Sequence, residues 1–120
     1  MNMITPGTLK DDTLCRLWTK IEENIDDSDL NVTKLLRVTS MSRSTLHRKL
    51  TTKAGMSATA FIRYIRLMKA HSLLIDHSEM TVSEIAFDVG FTSLSYFSRK
   101  FTQLFGASPK YYKKHINLKE

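Results

Sequence analysis

One cysteine, two prolines and one tryptophan are all that the 120 residues hold of those types, and glycine occurs only four times. Cys15 alone closes no intrachain disulfide and builds no cysteine zinc site, so a reducing cytoplasm is the natural setting. As a nucleophile it lacks a neighbouring histidine or basic cluster. The four histidines, at 47, 71, 77 and 115, form no i, i+4 pair and have no carboxylate-rich partners, which speaks against a metal centre. A glycine-rich phosphate loop is missing too. Neither an enzyme nor a cofactor is expected. No apolar run approaches the ~20 residues of a membrane span, and no signal peptide is visible. Acidic residues are scarce in the larger part of the chain. Residues 1–31 carry three Lys/Arg against seven Asp/Glu, a balance of −4, whereas residues 32–120 carry fifteen against five, a balance of +10. A polyanion is the expected partner of that second part. Its basic residues are not gathered on one long amphipathic helix, which disfavours a membrane surface.

What is there centres on Gly90-Phe91-Thr92-Ser93-Leu94-Ser95-Tyr96-Phe97-Ser98-Arg99-Lys100-Phe101. The glycine can end a helix by taking positive φ. Ser93 follows as an N-cap and opens a helical run. At helical spacing Phe97, Phe101 and Leu104 fall within an arc of about 60°. Ser95, Arg99, Thr102 and Gln103 lie opposite. One face can dock and the other offers short polar groups and an arginine, the build of a helix that lies in a DNA major groove. An amphipathic helix with a merely solvated outer face has the same pattern.

A second copy upstream separates the two. Shifted by 51 residues, Ser42 falls on Ser93, Leu46 on Phe97, Arg48-Lys49 on Arg99-Lys100, and Leu50 on Phe101. Shifted by 50, Val32 falls on Val82, Leu35 on Ile85, Leu36 on Ala86 and Met41 on Phe91. The one-residue difference falls in a turn, where insertions are tolerated. The chain therefore holds two helix–turn–helix units. A solvated face has no need to repeat an arginine at the same angle.

In chain order, residues 1–11 read as a flexible tail or linker remnant broken by Pro6-Gly7. Residues 12–118 form the domain, with units over 12–56 and 77–118 and a connecting helix within 57–76. The first helix is expected from Asp12 to Ile25, with Leu14, Leu17, Trp18, Ile21 and Ile25 in one stripe. Asn31 caps a short helix with Val32, Leu35 and Leu36 inside, and Ser42 caps the next, as far as Lys53. Ser57 caps a helix from Ala58 to Asp76 that spans roughly 29 Å at 1.5 Å per residue. The B-DNA pitch is roughly 34 Å, so this connector could hold two recognition helices in successive major grooves. Arg63, Arg66 and Lys69 on it could meet phosphates or belong to a solvated face, Arg66 tied down by local acids. Thr81 and Glu84 have capping-box spacing. Pro109 starts the final helix. There Tyr111, Tyr112 and Ile116 close the core, while Lys110, Lys113 and Lys114 extend the basic surface.

From Ile85-Ala86-Phe87-Asp88-Val89-Gly90-Phe91, through Ser95-Tyr96-Phe97-Ser98-Arg99-Lys100-Phe101, to Phe105-Gly106-Ala107-Ser108-Pro109-Lys110-Tyr111, the sequence resembles the DNA-binding domain of the AraC/XylS family of bacterial transcription regulators. Arg66-Leu67-Met68-Lys69-Ala70-His71-Ser72-Leu73-Leu74 matches the connecting helix, and the resemblance covers about residues 12–116. It implies an all-α, homeodomain-like fold of seven helices with two helix–turn–helix units, and sequence-specific binding of double-stranded DNA, as an activator. It assigns base reading to Ser44, His47, Arg48, Ser95, Tyr96 and Arg99. Phosphate contact is expected of Ser42, Lys49, Lys53, Thr92, Ser93 and Lys100. A thymine methyl is within reach of Leu94, although its angle sets it toward the core side. Leu36 and Ser40 stand where the family favours alanine and glycine, so the first turn is expected to be looser or differently angled. The resemblance also implies RNA polymerase as a partner, and a sensory or dimerisation domain N-terminal in a longer chain, as in the output ends of two-component regulators. A non-specific architectural nucleic-acid-binding protein would share the charge and is the alternative.

Overall fold

A computed structural model describes residues 3–117, with side chains as far as residue 114. These residues form eight helices and no strand: α1 (Pro6–Leu9), α2 (Asp12–Glu23), α3 (Val32–Thr39), α4 (Arg43–Lys53), α5 (Ala58–Asp76), α6 (Val82–Asp88), α7 (Leu94–Phe105) and α8 (Pro109–Asn117). The all-α expectation holds, with one helix more than the seven expected. None of the eight is long and apolar enough to cross a membrane. The place expected for Ile116 in the core lies outside the described side chains.

The additional helix corrects the expectation of a tail over residues 1–11. Pro6 starts a helix because proline at the first position gives up only an N–H that has no intrahelical partner. Thr5 and Thr8 close a capping box around it. Leu9 is 5% exposed. The Tyr64 hydroxyl accepts the Ile4 N–H at 2.7 Å and donates to the Ile4 carbonyl at 3.0 Å. Those partners stand 60 residues apart, so no local pattern announces them.

The chain packs as two units. One is built from residues up to Asn24 and from Asp29–Ile65, the other from Ile25–Ser28 and from Arg66 onward. In the first, Leu14, Leu17 and Ile21 of α2 are fully buried, as are Leu35, Leu46 and Leu50. The Trp18 ring meets Phe61 and Tyr64 edge-on at 5.9 and 6.2 Å. The stripe on α2 is one residue shorter than expected. Asn24 turns back, its N–H bonding the Ile21 carbonyl at 3.2 Å, and Ile25 packs against the core of the other unit.

That second core is strongly aromatic. Phe97 and Phe101 of α7 are buried completely against Ile85, Ala86 and Leu74, while Leu104, expected with them, is half-buried. The His71 ring stacks on Phe105 at 4.6 Å and meets the edge of Tyr112 at 5.1 Å. Helix ends follow the sequence signals: Thr81 and Glu84 form their capping box, and Gly106 ends α7 at φ 80.

Each unit turns from its first to its second helix through one left-handed residue. In the second unit this is Gly90, at φ 96. A Cβ there would sit 2.4 Å from the Ile25 carbonyl oxygen and 2.7 Å from the Arg66 guanidinium carbon. In the first it is Ser40, at φ 56, where a side chain is strained. Gly90→Ala is therefore expected to destabilise the second unit by roughly 2–4 kcal/mol, from backbone strain and overpacking together. Ser40→Gly should stabilise the first by less than about 1 kcal/mol, because glycine also loosens the unfolded chain. Denaturant unfolding checks both, and a Gly90→Ala chain as stable as the parent would show that the close approach is not needed.

Candidate nucleic-acid interface

The second helices of the two units, α4 and α7, begin in the same way. Ser42 lies in extended backbone and its Oγ accepts the Thr45 N–H at 3.2 Å. Ser93 does the same for Tyr96, also at 3.2 Å. A second hydroxyl stands beside each cap: Ser44 Oγ lies 3.4 Å from Ser42 Oγ, and Ser95 Oγ 3.2 Å from Ser93 Oγ. Capping is the chemistry that serine is chosen for here. One turn on from Ser44 and Ser95, Arg48 and Arg99 stand exposed, as does His47. Lys53 and Thr92 are exposed too. Ser44 and His47 also line an open groove of about 720 Å³ with Arg43 and Ser57. The outer face of each helix thus gathers hydroxyls and a guanidinium, with its leucines or phenylalanines turned inward.

Four basic residues depart from the uniform basic surface the sequence suggested. Lys49, expected to meet phosphate, holds Asp11: its Nζ lies 3.1 Å from Oδ2. Asp11 is also the N-cap of α2, its Oδ1 accepting the Leu14 N–H at 2.9 Å. That amide first, and Lys49 further, hold the Asp11 carboxyl below its ordinary pKa, while partial burial opposes them. Arg66, for which phosphate contact was one of two expectations, is 8% exposed. It donates from one terminal nitrogen to the Gly90 carbonyl at 2.7 Å and from the other to the Asp27 carbonyl at 2.8 Å. Burial lowers its pKa and the Asp27 charge raises it. So Arg66 is held through backbone oxygens, where local acids were expected. Lys113 donates to the carbonyls of Ser78 and Met80, tying α8 to the turn that precedes α6. Lys100 lies half-buried over the Tyr96 ring, its Nζ 5.7 Å from the centroid, with the Arg99 guanidinium at 5.3 Å.

Other placements were missed in the sequence. The pairings of Lys49, Arg66 and Lys113 bridge 38, 24 and 33 residues respectively, and nothing in periodicity points at them. Leu94, set near the core side by its angle, is 38% exposed at the first position of α7.

Asp11 gives a pH-dependent test. Its folded pKa is depressed, so its contribution is complete above the unfolded pKa and is lost as pH falls through the folded one. Asp11→Ala is expected to cost about 1 kcal/mol of stability near pH 7, and nearly nothing once the carboxyl is protonated in both states. Urea unfolding over that range measures it, and a cost independent of pH would show that the ionised carboxylate is not what matters.

Comparison with known proteins agrees with this geometry. The profile of one family, described as a helix-turn-helix domain, matches residues 35–115. The HTH-type transcriptional regulator MtrA of Neisseria gonorrhoeae is 34% identical over 110 residues, covering 90% of this chain and 36% of the relative. The HTH-type transcriptional activator RhaS of Escherichia coli is 42% identical over 71 residues, 59% of this chain and 25% of RhaS. The chain thus spans about a third or less of the length of these curated relatives. Among solved structures, the DNA-binding domain of the global transcriptional factor AdpA, in complex with a target DNA, has the same fold: the TM-score is 0.77 at 24% identity, over 92% of this chain and 97% of that one.

Proposed function

The chain belongs to the AraC/XylS family as a helix-turn-helix DNA-binding domain, and from that premise we propose that it reads a specific double-stranded DNA sequence for a bacterial transcription regulator. The observation that carries this reading is the repeated outer face of α4 and α7, a serine cap followed by a hydroxyl and, one turn on, an exposed arginine. Arginine is the best reader of guanine, through two hydrogen bonds to O6 and N7. Ser44, His47 and Arg48 face bases from α4, and Ser95 and Arg99 from α7, with Tyr96 beside them. Lys53, Thr92 and Lys100 follow the phosphates, with the cap serines Ser42 and Ser93 at the helix starts. Lys49 contributes less, because Asp11 already holds its charge. The two recognition helices occupy successive major grooves of one asymmetric site. Activation, contact with RNA polymerase, an N-terminal sensory or dimerisation domain and a cytoplasmic setting complete the reading. RhaS is named as an activator, and both curated relatives are much longer than this chain.

Selection from a random duplex library tests it. The expected result is one asymmetric motif of about two helical turns, roughly 20 base pairs, that survives competition by bulk genomic DNA. A short perfect palindrome would oppose the two-unit reading, and full competition by bulk DNA would identify an architectural binder instead. On the selected duplex, Arg99→Ala and Arg48→Ala should each cost about 1–3 kcal/mol and relax preference at one position. Lys100→Ala should weaken all sequences alike and lower the log–log salt slope by about one. Lys49→Ala should change that slope less. A uniform loss from Arg99→Ala, with every base preference intact, would reassign Arg99 to phosphate.

A further inference from the structure

The two copies differ beneath the repeated arginine. On α7, Tyr96 lies three residues before Arg99, and the guanidinium carbon of Arg99 is 5.3 Å from the centre of its ring. Lys100 approaches the same ring at 5.7 Å. The ring lies between these cations and the core. Its backbone amide is held by Ser93 Oγ, and it packs against the Phe91 ring, centroids 6.2 Å apart, with Phe91 itself buried. On α4 the corresponding residue is Thr45. Thr45 has no ring, and its hydroxyl accepts a bond from Ser42 Oγ at 2.8 Å.

We infer that Tyr96 is a positioning residue: its half-buried ring is an aromatic seat that pre-orders Arg99 for base reading, and it does not itself read a base. This rests on the DNA-reading function proposed above. A guanidinium stacks on an aromatic face through its cationic plane. An exposed arginine must give up rotamer freedom when it docks, and an arginine already held on a ring gives up less. The cap serine, Phe91 and the ring therefore form a chain of contacts from the core to the reading group. The first unit lacks the last link of that chain, so Arg48 is ordered only when it meets DNA. Lys100 shares the seat, but a lysine set against the flank contributes charge and carries no base preference.

The experiment uses the duplex that the whole chain selects from a random library, together with all its single-base variants. Tyr96→Leu keeps apolar bulk against Phe91 and removes the aromatic face, and Tyr96→Phe keeps the face and removes the hydroxyl. Tyr96→Leu is expected to weaken the selected duplex about two- to five-fold, and to reduce discrimination at the base pair that Arg99→Ala relaxes. Tyr96→Phe should behave as the parent. Adding Tyr96→Leu to Arg99→Ala should change discrimination no further, whatever uniform loss Lys100 adds. Circular dichroism and unchanged preference at the Arg48 position show that folding is intact. The seat is overturned if Tyr96→Leu relaxes a different base pair from Arg99→Ala, if its effect on discrimination persists without Arg99, or if Tyr96→Phe loses as much as Tyr96→Leu. A library that enriches no duplex overturns the DNA-reading function and the seat with it, whereas an enriched duplex with any of those three results overturns the seat alone.

Discussion

A recognition helix is useful only if its direction is fixed, and in the second unit that direction depends on how closely the backbone at Gly90 approaches its neighbours. With the Ile25 carbonyl oxygen 2.4 Å from where a Cβ would stand, the site admits no side chain. The same approach lets Arg66 reach the Gly90 carbonyl. One guanidinium then joins the end of α6 to the residues that follow α2. A buried arginine is costly to desolvate. Here its terminal nitrogens meet backbone oxygens that would otherwise need partners of their own. Everything downstream, from the Ser93 cap to the outward Arg99, takes its orientation from that junction. The first unit reaches a comparable turn with Ser40, at the cost of left-handed strain.

Much of this was legible in the chain. Gly90, Gly106, Ser42, Ser93, Thr81 with Glu84, and Asn31 announced helix ends because caps are local chemistry, satisfied within three or four residues. The repeated spacing of Leu46 and Leu50, and of Phe97 and Phe101, announced the buried faces, since a helix has one period and a core has one side. The interface was visible as a list of types, but the state of each charge was not. Lys49, Arg66 and Lys113 look alike in sequence to Lys53 and Lys100, and only folding shows which of them turn toward protein oxygens. Pro6-Gly7 misled for a related reason. The dipeptide breaks a helix that precedes it, and here it begins one, with Tyr64 fastening the strand of backbone before it.

The same distinction corrects the arithmetic of charge. A balance of +10 over residues 32–120 measures what the chain carries, not what it offers to a polyanion. The acidic segment at the start is not separate from this accounting, because Asp11 reaches into the basic part and neutralises a lysine there. Long-range attraction to DNA still follows the whole field, whereas the release of counterions on docking follows only the cations that touch phosphate.

That difference can be followed at one repeated position. Lys49 and Lys100 occupy the same place in the repeat, yet one is neutralised by a carboxylate and the other rests on an uncharged ring. At that position the first copy has less charge to offer a polyanion than the second, although α4 also carries Arg43, Arg48 and Lys53, where α7 carries Arg99 alone besides Lys100.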